Sequence, residues 1–157
     1  VRANAEAIIA ELRVGHDCAF ATLGDAMTYS TFGYVLEIIR KAIPNLDLEV
    51  IPGITSFATL TAKAGTVLVE NGEQLRIIPS CRAEMAESLD FPKGATTILL
   101  KSYRSRGALL DRLAREEKVQ VLYGEHLAMK DQALLTDPDA IRARPEKYLS
   151  LIMVKKQ

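Results

Sequence analysis

One order of elements occurs twice near the start of the chain, and it constrains the fold more than any other feature. The order is a short apolar run, a glycine turn, hydroxyl residues and then a helix-periodic stretch. The first copy runs from Cys18–Leu23 (CAFATL) through Gly24-Asp25 and Tyr29-Ser30-Thr31 into Phe32–Ile43, where Phe32, Val35, Leu36, Ile39 and Ile43 share a face. The second runs from Leu48–Ile51 through Pro52-Gly53, with Thr55 or Ser56 placed to cap a helix over Phe57–Lys63. Strand, loop and helix in succession predict parallel strands with helical crossovers, hence an α/β fold. In such sheets ligands bind beyond the carboxyl ends of the strands, where Gly24-Asp25 and Pro52-Gly53 stand.

The order changes beyond Gly65. Gln74–Ile78 reads as a strand and Ala83–Leu89 as a short helix. Thr96–Lys101 (TTILLK) has the composition of a buried strand, and Ser105–Glu116 is a helix with Leu109, Leu110 and Leu113 inward. Val119–Tyr123 and Tyr148–Val154 are further strands, separated by loop punctuation at Asp137-Pro138-Asp139 and Arg144-Pro145. The change of order predicts a boundary at Pro52-Gly53, with domains over 1–52 and 53–157. The chain opens at Val1 inside a helical pattern in which Ala5, Ile8, Ile9 and Leu12 share a face, so an N-terminal part of the first domain is expected upstream.

Charge narrows the function. Lys plus Arg and Asp plus Glu both number 20, so the net charge is zero, which argues against an electrostatic binder of nucleic acid or membrane surfaces. No apolar run reaches the roughly 20 residues of a membrane helix, and no signal-peptide pattern is present. Cys18 and Cys81 form no CxxC or Cys/His cluster, which fits a reduced, cytoplasmic setting and gives no structural metal site. Cys18 is expected in a strand core, and His16 in an exposed polar turn.

The loop Thr22–Thr31 (TLGDAMTYST) combines a glycine that lets backbone approach a ligand, the carboxylate of Asp25 and the start of a helix with unpaired N–H groups. A ligand carrying both a cation and an anion suits it. An ordinary loop in which Asp25 and Thr31 satisfy backbone donors explains the same residues. Val50–Ser56 (VIPGITS), taken alone, is a turn followed by a cap.

Taken together, TLGDAMTYSTFGYV and VIPGITSFATLTAKAG, with LVENGEQLRIIPS at Leu68–Ser80, resemble the tetrapyrrole methyltransferase family, in the branch that methylates precorrin-2 or cobalt-factor II at C-20 in cobalamin synthesis. That family carries a GDP motif and a PGIS-like motif in this order. Here the first reads Gly24-Asp25-Ala26, and the family's first strand and GxGPGD loop are expected before Val1. The resemblance implies a two-domain fold, the first domain a doubly wound parallel sheet and the second a mixed sheet, with S-adenosylmethionine bound in a cleft between them. Well-oriented reactants gain roughly 7–11 kcal/mol, so transfer of its methyl group requires no nucleophile–base dyad.

By the same resemblance, Leu23, Gly24, Asp25, Thr28, Thr55 and Ser56 line the cofactor site, joined by Lys101, Tyr123 and Leu149 from the second domain. A tetrapyrrole acceptor bears carboxylates, and the run KSYRSR offers Lys101, Arg104 and Arg106 to bind them. A solvated helix start, or a single-strand RNA platform using Tyr103, are the other readings of that run. Glu125 and His126 are candidates to take the proton that leaves the methylated carbon, although a lone histidine is more often structural. The resemblance also implies a homodimer; no metal-ligand set is visible in the sequence, so a metal would arrive inside the acceptor. The alternatives are a related enzyme acting on another precorrin, uroporphyrinogen, a diphthine precursor or ribosomal RNA, and a non-catalytic module that binds adenosyl ligands.

Overall fold

The helical pattern of the first residues becomes α1 (Arg2–Arg13), and the Phe32 pattern becomes α2 (Phe32–Ala42). The first turn of α2 is closed by the Ser30 hydroxyl, which accepts from the Phe32 amide at 3.1 Å. The computed structural model describes residues 1–157, which form two compact units, Val1–Thr55 and Ser56–Gln157. The division falls after Thr55 rather than at Pro52-Gly53, because Gly53 is bonded back to Asp25. In the first unit α1 and α2 bury Ala5, Ile9, Val35 and Ile39 against one another.

The two segments expected as parallel strands of this unit are extended but unpaired. Neither Cys18–Leu23 nor Leu48–Ile51 makes a backbone hydrogen bond to another segment. An apolar run becomes a strand only when a neighbour supplies the ladder, and neither segment has one. Cys18 is accordingly exposed rather than core. The second segment keeps the strand period: Leu46, Leu48 and Val50 are half-buried, whereas Asp47, Glu49 and Ile51 are exposed. With Leu12, Phe20 and Leu36 these residues line an apolar cavity of about 290 Å3.

The second unit is built on a five-stranded mixed sheet. Its strands are β1 (Gln74–Ile78), β2 (Ala95–Leu100), β3 (Val119–Glu125), β4 (Ala133–Leu135) and β5 (Ser150–Lys156), in the order β1-β2-β5-β3-β4. Only β1 and β2 pair in parallel. Side chains alternate between the two faces, as a period of two requires. Leu99, Tyr123, Ile152 and Val154 meet α4 (Arg106–Leu113), α5 (Pro138–Arg142) and a 3-10 helix over Ala83–Ser88 on one face. Ile98, Leu100, Leu122, Leu151 and Met153 meet Leu60 of α3 (Ser56–Ala64) on the other.

Two local features differ from expectation. The Asp137-Pro138-Asp139 stretch opens α5, because Asp137 accepts from the Ala140 amide at 2.8 Å and Pro138 suits the first helical position. The short strand β4 carries too few residues to show a period. Cys81 is buried, and burial pushes its thiol up. No helix is long and apolar enough to cross a membrane.

Candidate functional site

The first unit brings its two glycine turns together. The Asp25 carboxylate accepts from the Met27 and Gly53 amides, each at 3.1 Å. The Thr28 hydroxyl bonded to it, then the Gly53 amide, holds its carboxyl below the ordinary range. Gly24 is left-handed at φ +80, and a β-carbon on Gly53 would stand 2.1 Å from the Gly24 carbonyl oxygen. Only glycine permits that approach. Around this lock Leu23 is exposed, Thr28 and Thr55 are half-buried, and Tyr29 sits at φ +51 in the left-handed region. Asp25 therefore fixes the loops with its carboxylate, and the hydroxyl that accepts from the first amide of α2 is Ser30 rather than Thr31. Ser56, the other hydroxyl of the second motif, opens α3 in the second unit.

In the second unit the carboxyl ends of β2 and β3 flank the first residues of β5: Leu100 and Gly124 both pair with Leu151, and Glu125 pairs with Ser150. Both strands turn sharply on leaving the sheet. Lys101 and His126 adopt left-handed backbone, at φ +54 and +48. Such conformations are strained for residues with a β-carbon, and they concentrate at functional sites. The His126 amide donates to the Leu149 carbonyl at 2.9 Å, so Lys101, His126 and Leu149 share this end of the sheet. Ser102, next to Lys101, has a buried hydroxyl with no hydrogen-bond partner. A β-carbon on Gly124 would stand 2.5 Å from Leu60 Cδ1, so that side-chain end would have to shift.

Three of the residues singled out in this unit are committed to its structure. Tyr123 is buried, its backbone lies in the ladder between β4 and β5, and its hydroxyl donates to Glu125 Oε2 at 2.7 Å. Burial pushes its phenol up, and the Glu125 carboxylate adds to this. Arg106 is buried too and donates to the Arg144 and Pro145 carbonyls, so it offers nothing to an acceptor's carboxylates. Glu125 is fully buried. Burial alone would raise its carboxyl, but bonds from Arg144 at 2.7 Å and from Tyr123 outweigh that and hold it at about 2. A carboxylate so stabilised does not accept a proton near neutrality.

His126 is bonded to a different carboxylate. Its Nδ1 lies 2.7 Å from Asp131 Oδ2. Lys147, then His126, holds the Asp131 carboxyl at about 2, so Asp131 is ionised and only accepts. Nδ1 therefore carries the hydrogen of this bond. Lys101 and Arg104 remain exposed. The Arg144 and Lys147 partners of Glu125 were not visible in the sequence, where RPEK reads as a loop.

The family model for Tetrapyrrole (Corrin/Porphyrin) Methylases matches residues 1–139. The chain is 32% identical, over 98% of its own length and 64% of the relative's, to a cobalt-precorrin-2 C(20)-methyltransferase of Salmonella typhimurium. It is 28% identical, over 97% of its length and 61% of the relative's, to a precorrin-2 C(20)-methyltransferase of Sinorhizobium sp. The chain thus spans less than two thirds of these curated relatives. A structure of uroporphyrin-III C-methyltransferase from Thermus thermophilus with bound S-adenosylhomocysteine shares the fold, with a TM-score of 0.68 at 15% identity over 98% of this chain and 72% of that one.

Proposed function

The chain belongs to the tetrapyrrole (corrin/porphyrin) methylase family, and from that membership we propose that it serves S-adenosylmethionine-dependent methylation of precorrin-2, or of cobalt-factor II, at C-20 in cobalamin biosynthesis. The observation that carries this reading is the lock between Gly53, Gly24 and Asp25, in which the two motifs behind the resemblance meet. The names of the two curated relatives support the acceptor and its position.

The residues present suit an adenosyl ligand. Leu23 is an exposed apolar surface at 75% accessibility, and the extended backbone beside it has unpaired N–H and C=O groups for polar edges. Leu23, Gly24, Thr28 and Thr55 of the first unit would hold the ligand. Bound there, S-adenosylmethionine would supply an electrophilic methyl group. The chain's own contribution is orientation and exclusion of water. His126 is the candidate to take the proton released from the acceptor carbon. A homodimer in the cytoplasm completes the proposal.

Labelled methyl transfer tests it. The protein is incubated with methyl-labelled S-adenosylmethionine and, in parallel, precorrin-2, cobalt-factor II or uroporphyrinogen III. Label at C-20 of either of the first two is expected. Label only in uroporphyrinogen III assigns another acceptor, and failure to take up S-adenosylhomocysteine in calorimetry overturns the reading.

A further inference from the structure

We propose that Tyr148, with Tyr103 and the cations Lys101 and Arg104, forms a receptor for a flat ring edged with carboxylates. The proposal rests on the methyltransferase reading only in taking the tetrapyrrole acceptor as that ring.

Tyr103 lies just past the end of β2 and Tyr148 just before β5, on the sheet end that carries Lys101 and Leu149. The two rings meet edge to face, with centroids 5.9 Å apart and planes at 73°. The Arg104 guanidinium lies 5.2 Å from the centroid of Tyr103. Tyr103 is thus held from two directions, and it holds Tyr148 in turn. Tyr148 nevertheless keeps 58% of its surface exposed. An aromatic ring fixed along its edge and open elsewhere presents a preset stacking surface, which costs little ordering when a second ring settles on it.

The charges beside it are free. Arg144 and Lys147 are ion-paired with carboxylates, whereas Lys101 and Arg104 pair with none. Lys101 is lifted out of the strand by its left-handed backbone, immediately after β2. Two unpaired cations at the rim of a tyrosine pair match a ligand whose centre is planar and whose periphery is anionic. A small anion would leave the tyrosines without a role. A single-stranded RNA would need a longer basic track than two residues in a chain of zero net charge.

Fluorescence titration with uroporphyrin III, a stable polycarboxylate porphyrin, tests the receptor in wild type, Tyr148→Ala, Tyr148→Phe and Lys101→Gln/Arg104→Gln proteins. Tyr148→Ala is expected to weaken binding about tenfold or more, by the loss of one stacking platform. Tyr148→Phe is expected to bind like wild type, and the double variant to bind more weakly with a flatter salt dependence. Undiminished binding by Tyr148→Ala, or tighter binding of a uridine oligonucleotide than of the porphyrin, overturns the receptor. Calorimetry with S-adenosylhomocysteine separates the two proposals. Cofactor uptake with Tyr148-independent porphyrin binding overturns the receptor alone, and Tyr148-dependent porphyrin binding without cofactor uptake supports the receptor and removes the methyltransferase reading.

Discussion

The Gly53 amide donates to the Asp25 carboxylate at 3.1 Å, and the same glycine lies so close to the preceding turn that a β-carbon would stand 2.1 Å from the Gly24 carbonyl oxygen. The obstructing atoms are backbone and cannot rotate away. Gly53→Ala is therefore expected to lose about 1–3 kcal/mol of stability and to separate the two turns. Thermal unfolding followed by circular dichroism measures the first effect. A melting temperature equal to wild type would contradict the contact.

Gly124→Ala is the informative contrast. Its β-carbon would meet Leu60 Cδ1 at 2.5 Å, the mobile end of a side chain that can change rotamer. The expected loss is about 1 kcal/mol, at the low end for overpacking. Urea unfolding of both variants should rank Gly53→Ala as the more damaging.

Glu125 sets an acid limit for the second unit. Its carboxyl is lowered from 4.5 to about 2 in the folded chain, despite burial, by Arg144, Tyr123 and Lys147. A group whose folded value is depressed contributes stability that is complete above the unfolded value and is lost as pH falls through the folded one. A shift of this size corresponds to about 3 kcal/mol, present above about pH 5 and lost toward pH 2. Glu125→Gln is expected to remove most of that acid dependence and to cost about 3–5 kcal/mol at neutral pH, because Arg144 loses its buried partner. Asp131, also held at about 2, leaves a residual slope. Urea midpoints measured between pH 2 and 7 check the sign.

Arg106 and Lys101 should respond in opposite ways. Arg106→Gln is expected to destabilise the fold by about 2–4 kcal/mol, since it removes a buried guanidinium that donates to the Arg144 and Pro145 carbonyls. A stable Arg106→Gln protein that has lost only acceptor binding would restore Arg106 to the binding surface.

Lys101→Gly relieves a left-handed residue and is expected to gain about 1 kcal/mol while weakening acceptor binding. Thermal unfolding and porphyrin titration of the same sample separate the two effects.

What the sequence reveals here follows from how local each signal is. The helical faces of α1 and α2 and the buried run of β2 announce themselves through period and composition. Gly24-Asp25 and Pro52-Gly53 are legible as turns, but their contact depends on a fold that brings residues 28 positions apart together. The same limit hides the Glu125 clamp, whose partner Arg144 stands 19 residues away in a stretch that reads as a loop. Arg106 is read from the KSYRSR run and Tyr123 from the resemblance, and the fold buries both with the Arg106 guanidinium 3.5 Å from the Tyr123 hydroxyl. Cys18–Leu23 has the composition of a strand, but pairing depends on a neighbour that composition cannot name.

Two lengths of main chain in the first unit, at 18–23 and 48–51, have amides and carbonyls with no backbone partner. Such a backbone behaves like an open zipper, ready to take teeth from whatever strand comes near. A lysine or proline introduced at Ala21 is expected to slow the aggregation of a concentrated sample.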